Sequence, residues 1–186
     1  MINLNKYFKK YVNLLNFSKN DLSKILLVKN LFEKIKKDNK KILIFGNGGS
    51  SAIASHFSVD ITKNAKIRCV NFNEADLITC FSNDYGYENW IKKSLEYYHD
   101  EGDVLILISS SGKSRNIINA AKYAVKKEIK LITLSGIDKN NTLYSLGDVN
   151  FFVKSNSYNI VECVHQIILL SIVDLIIGKS NYSNKL

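Results

Sequence analysis

Residues 41–60, KILIFGNGGSSAIASHFSVD, constrain the fold of this chain more than any other stretch. Ile42, Leu43, Ile44 and Phe45 form an unbroken apolar run, the mark of a strand covered on both faces. Gly46, Gly48 and Gly49 stop that strand, Ser50 and Ser51 stand where a helix N-cap belongs, and from Ala52 the pattern turns helical. A strand that hands a glycine turn to a helix N-terminus aims unpaired N–H groups and the positive end of the helix dipole at one point. Such a point suits an anion, phosphate above all. The plainer reading is a turn that only joins strand to helix. Dinucleotide binding fits poorly, because Ser51 holds the third glycine position of GxGxxG and the second strand ends in Asn71 and Asn73 rather than a ribose-binding acid.

Periodicity places further strands at 67–72, 104–108, 130–134 and 149–153, with helices at 51–63, 74–82, 87–98, 115–127, 141–146 and 158–177. Asn83, Asp84 and Gly86 are expected to form a turn between two of these helices. Alternating strands and helices predict an α/β fold, a three-layer α/β/α sandwich on a five-stranded parallel sheet, with the ligand at the carboxyl ends of the strands. Two helices precede it, at 3–15 and 20–38, with Ser18 or Asn20 capping the second. With little to bury against inside a small domain, they are expected to form an oligomer interface. The expected organisation is N-terminal helices over 1–40, one domain over 41–178 and a flexible tail over 179–186.

At 186 residues the chain can bury a sizeable core without disulfides. Cys69, Cys80 and Cys163 lie far apart without metal-ligand spacing and read as buried free thiols of a reducing cytosol. The N-terminus lacks a signal-peptide pattern, and Ser171 and Asp174 interrupt the apolar run at 167–177. A cytoplasmic protein with no membrane partner is expected. The net charge of +9 comes from lysines dispersed over helix faces without aromatic interleaving, so no direct nucleic-acid binding is expected.

The segment 103–117, DVLILISSSGKSRNI, repeats the opening theme of apolar strand, small polar loop and helix. Its GKS ending invites comparison with a Walker A loop, but that pattern needs a glycine where Leu107 stands inside the strand. The better reading is a phosphate cradle in which Ser109, Ser110, Ser111 and Ser114 offer hydroxyls and Gly112 lets the backbone bend. An ordinary serine-rich turn is the competing reading.

GNGGSS, NDYGYEN, DVLILISSSGKS and a last helix beginning IVE, in this order over residues 41–178, resemble the sugar isomerase (SIS) domain, and within it the phosphoheptose isomerase group. The resemblance implies a flavodoxin-like fold, a phosphosugar partner and a homotetramer built through the N-terminal helices. It also implies interconversion of sedoheptulose 7-phosphate and D-glycero-D-manno-heptose 7-phosphate through an enediolate, for lipopolysaccharide or capsule heptose. Carried over by motif, Asn47, Gly48, Gly49, Ser50, Asn83, Asp84, Ser109, Ser110, Ser111 and Ser114 bind the sugar phosphate. A second class is also implied, a non-catalytic SIS module that binds a phosphosugar or a protein partner such as a replication-initiation factor.

Proton transfer between C1 and C2 needs a base over carbon and an acid on the oxygens. Similar enzymes use a glutamate on the helix after GNGGS and a histidine on the last helix, which complete a zinc site with a second histidine and a glutamine. This chain keeps His56 but has Asp60 for the glutamate, and the motif alignment sets Val161 against the glutamine and Leu169 against the last histidine. With two apolar ligand positions, neither a metal nor any other cofactor is expected. The catalytic candidates are His56 and Asp60, at i and i+4, and Glu162 and His165, at i and i+3, with Glu162 as base. The competing readings are that His56 packs on the sheet, Glu162 serves the helix N-terminus and His165 lies in an interface.

Overall fold

The computed structural model describes residues 3–180. Met1, Ile2 and the 181–186 part of the expected tail lie outside the described residues. Two helices, α1 (Leu4–Leu15) and α2 (Lys19–Lys37), lead into β1 (Ile42–Phe45), α3 (Gly49–Ala65) and β2 (Cys69–Val70). α4 (Ala75–Tyr85), α5 (Trp90–Tyr98), β3 (Val104–Ser109), α6 (Arg115–Lys126), β4 (Lys130–Gly136), β5 (Val149–Val153) and α7 (Tyr158–Ile177) follow. The five strands form one parallel sheet in the order β2-β1-β3-β4-β5. The order reverses between β1 and β3, where Ile42 to Phe45 pair with Val104 to Leu107, so the turns after these two strands leave the sheet side by side at its switch point.

Strand alternation sorts the core into two layers. Ile42, Ile44, Ile106, Ile132 and Leu134 point toward α2, α3 and α7, whereas Leu43, Phe45, Leu105, Leu107 and Leu131 meet α5 and α6. On the first side α2 buries Ile25, Val28, Phe32 and Ile35, each side chain contributing about 1.5–3 kcal/mol by leaving water. This corrects the expectation that both leading helices lack an intramolecular partner. α2 belongs to the core, whereas α1 buries no residue of its own. Ser18 caps α2, its hydroxyl accepting from Asp21 N at 3.1 Å.

Other expectations shift locally. β2 shrinks to two residues at the sheet edge, and residues 141–146 are a chain of turns rather than a helix. Asn83 and Asp84 belong to α4, which runs on to Tyr85 before Gly86 ends it at φ 82°. Cys80 and Cys163 are exposed and Cys69 is half-buried, so the thiols are not the core residues expected. α7 is long and apolar enough to cross a membrane, but in this fold it lies on the core, with Ile160, Val164, Ile168 and Ile172 covered by the sheet layer and its helices.

Candidate functional site

The turn after β1 begins with Asn47, and α3 takes Gly48 as its N-cap, so no side chain covers the first N–H groups of that helix. Ser50 and Ser51 fall inside the first turn instead of capping it, and Ser50 is buried. Beside this turn, the loop after β3 makes a compact cradle. Gly112 sits at φ 63°, its N–H donates to Ser109 O at 2.9 Å, and Ser109 Oγ lies 3.3 Å from Ser114 Oγ. Lys113 N donates to Ser111 Oγ at 3.2 Å. Ser114 is the N-cap of α6, yet its hydroxyl caps nothing, and the buried Ser110 Oγ has no hydrogen-bond partner. Orphan N–H groups and an unpaired buried hydroxyl are what an anion would satisfy.

The β4 end and the segment behind it hold this cradle. Gly136 N donates to Ser110 O at 3.0 Å and Leu143 N to Gly112 O at 3.2 Å. Asn141, itself buried, packs against Gly112 so closely that a side chain at 112 would collide with it. The cradle and the glycine turn are joined by a reciprocal amide pair between Asn47 and Asn116, with Nδ2 to Oδ1 distances of 3.0 and 2.9 Å. Tyr87 OH donates to Asn47 Oδ1 at 3.1 Å. From the NDYGYEN segment it is therefore Tyr87 that reaches this turn. Asn83 and Asp84 are exposed on α4 and hydrogen-bond to each other at 3.0 Å.

On the other side of the glycine turn, α3 and α7 enclose a cleft of about 370 Å³ lined by Gly49, His56, Asn159, Glu162, Cys163 and Gln166, among others. The Glu162 carboxylate lies against the Cα of Gly49, where any Cβ would strike it. Gln166 Nε2 donates to His56 Nδ1 at 2.8 Å, which leaves the imidazole proton on Nε2, 3.5 Å from Asp60 Oδ2. His56 and Glu162 thus share one cleft, with Asp60 beside His56. Sequence reasoning missed Gln166, although it stands one helical turn beyond Glu162 and shares its face.

His165 does not join them. It is fully buried, its Nε2 donates to Ser135 O at 3.1 Å, and its Nδ1 has no partner. Desolvation lowers its pKa to about 4, outweighing the Ser135 contact, so the ring is neutral. A role in proton transfer is therefore withdrawn for His165. Val161 and Leu169, which the motif alignment sets at family ligand positions, are both buried in the core and do not line the cleft; the α7 face toward His56 is that of Asn159, Glu162, Cys163 and Gln166.

Among the described residues no three His, Cys, Asp or Glu side chains converge closely enough to hold an ion, and the donors beside His56 are Gln166 and Asp60.

Comparison with known proteins matches this geometry. The SIS domain model matches residues 6–136. The phosphoheptose isomerase of Fusobacterium nucleatum is 34% identical over 150 residues, which are 78% of this chain and 75% of that protein. The phosphoheptose isomerase of Aliarcobacter butzleri is 36% identical over 135 residues, 69% of this chain and 71% of that one. Among solved structures, phosphoheptose isomerase GmhA from Neisseria gonorrhoeae superposes with a TM-score of 0.84 at 26% identity, covering 93% of this chain and 97% of the other.

Proposed function

The chain belongs to the SIS domain family, in its phosphoheptose isomerase group, and from that membership we propose that it interconverts sedoheptulose 7-phosphate and D-glycero-D-manno-heptose 7-phosphate. The observation that carries the reading is the cleft between α3 and α7, where the Glu162 carboxylate lies over Gly49 and shares the space with His56. The phosphate goes to the cradle of Ser109, Ser110, Ser111 and Ser114, whose unpaired Ser110 hydroxyl and α6 start without a bond from its N-cap side chain favour it. In this reading Asn47, Gly48, Gly49 and Ser50 of the glycine turn, with Asn83 and Asp84 of α4, bind the sugar.

In the forward step the Glu162 carboxylate takes a proton from C1 of the open-chain ketose, and the electron pair forms the C1–C2 double bond of the enediolate. His56, oriented by Gln166 and Asp60, donates its Nε2 proton to the C2 oxygen and accepts the proton of the C1 hydroxyl. Return of the carbon-bound proton from Glu162 to C2 completes the aldose.

The same reading includes a cytoplasmic homotetramer that uses the exposed stripe Leu4, Phe8 and Val12 of α1, and a place in heptose supply for lipopolysaccharide or capsule. The test is turnover of sedoheptulose 7-phosphate by the purified chain and by Glu162→Gln, which should lose about a hundredfold or more in kcat with little change in KM. Binding of the sugar phosphate without turnover by the unaltered chain would reject the enzyme and leave a phosphosugar-binding module.

A further inference from the structure

Asn47 is held by more than the turn it occupies. Its reciprocal pair with Asn116 could be drawn with both amides reversed, but Ile117 N donates to Asn116 Oδ1 at 3.0 Å, and that contact identifies the oxygen. Asn116 Nδ2 must then be the donor to Asn47 Oδ1, at 2.9 Å, and the Tyr87 hydroxyl must be the second donor to the same oxygen, at 3.1 Å. Two donors fill both lone pairs of Asn47 Oδ1. Its Nδ2 spends one hydrogen on Asn116 Oδ1 at 3.0 Å, so the amide keeps a single N–H to offer and no acceptor.

We propose that Tyr87 and Asn116 are positioning residues that turn Asn47 into a donor-only contact for the carbonyl oxygen of the open-chain sugar phosphate, the atom that becomes the enediolate oxygen. This rests on the isomerase reading above. A carbonyl or enediolate oxygen only accepts, and a hydrogen bond to it strengthens as negative charge develops there. A donor fixed in advance therefore stabilises the transition state more than the bound substrate. An amide free to rotate would instead present its own oxygen to that atom and repel it. The two supports differ in kind. Asn116 is buried at the start of α6 and moves only with the cradle, whereas Tyr87 is 54% exposed on the turn after Gly86. Neither side chain has to touch substrate, which sets their role apart from that of Asn47.

Tyr87→Phe removes one hydroxyl from an exposed ring and tests the assignment in the full chain. Its melting temperature should stay at that of the unaltered protein, while kcat falls about tenfold and KM stays within about twofold. Two non-reacting ligands give a second readout by calorimetry. A hydroxamate analogue of the sugar phosphate, whose oxygens mimic the enediolate, should bind the variant about tenfold more weakly, and the alditol phosphate, with a hydroxyl in place of the carbonyl, should bind unchanged. Asn116→Ala should act in the same direction and more strongly. Unaltered kinetics in Tyr87→Phe, or equal loss of both ligands, would overturn the assignment while leaving an active isomerase in place. If the unaltered protein turns over nothing yet the variant still discriminates between the two ligands, the isomerase reading fails and the locked amide stands.

Discussion

His165 illustrates how burial decides what a side chain can do. A histidine with an ordinary pKa in the unfolded chain and one of about 4 in the folded chain binds its proton more readily when unfolded. Its neutral form therefore supports the fold fully above about pH 6.5, and that support is lost as pH falls toward 4. Between pH 7 and pH 5 the loss should be about 2 kcal/mol. Denaturant unfolding at the two pH values measures it, and His165→Gln, which can still donate to Ser135 O, should flatten the difference; an equally steep dependence in that variant would assign it to another group. From the sequence, both His165 and His56 were candidates for catalysis. Residue type alone does not say which side of a helix faces the sheet.

At the scale of elements, the two loops at the site were legible because their chemistry is local. Glycines that permit positive φ, serines that carry hydroxyls and an apolar strand before each loop can all be read without knowing the fold. The register of α7 was not legible. Its apolar residues run nearly all the way round, so the short polar face of Asn159, Glu162 and Gln166 does not by itself say that it meets α3 rather than solvent. The contact between α3 and α7 also sets a size limit on residue 49. Gly49→Ala would drive its methyl group into the Glu162 carboxylate, which can swing aside because it ends a flexible chain. The variant should keep its melting temperature within a few degrees and lose most of its activity, read by circular dichroism and by sedoheptulose 7-phosphate turnover. Retained activity would show that the carboxylate need not sit over Gly49.

At the scale of the whole molecule, strand order does most of the work. Reversal between β1 and β3 brings the glycine turn and the serine cradle together, whereas the alternation of elements gave only a parallel sheet with both loops at its carboxyl ends. What the pattern could not reveal was that α2 would cover one face of the sheet while α1 stayed outside it, since both helices carry apolar spacing. α1 leaves Leu4, Phe8 and Val12 each about 60% exposed or more, at i, i+4 and i+8 along one edge. Phe8→Glu with Val12→Glu should lower the molar mass in sedimentation to that of a smaller species without lowering helix content; an unchanged mass would remove α1 from the interface. The inner edge of the same helix has another bearing. Tyr11, hydrogen-bonded to Tyr7 at 3.2 Å, also reaches the thiol of Cys163, which lines the reaction cleft. In the assembly proposed above, the outer edge of α1 would meet sister copies while its inner edge touches the cleft of His56 and Glu162, so that a single rod would separate the two.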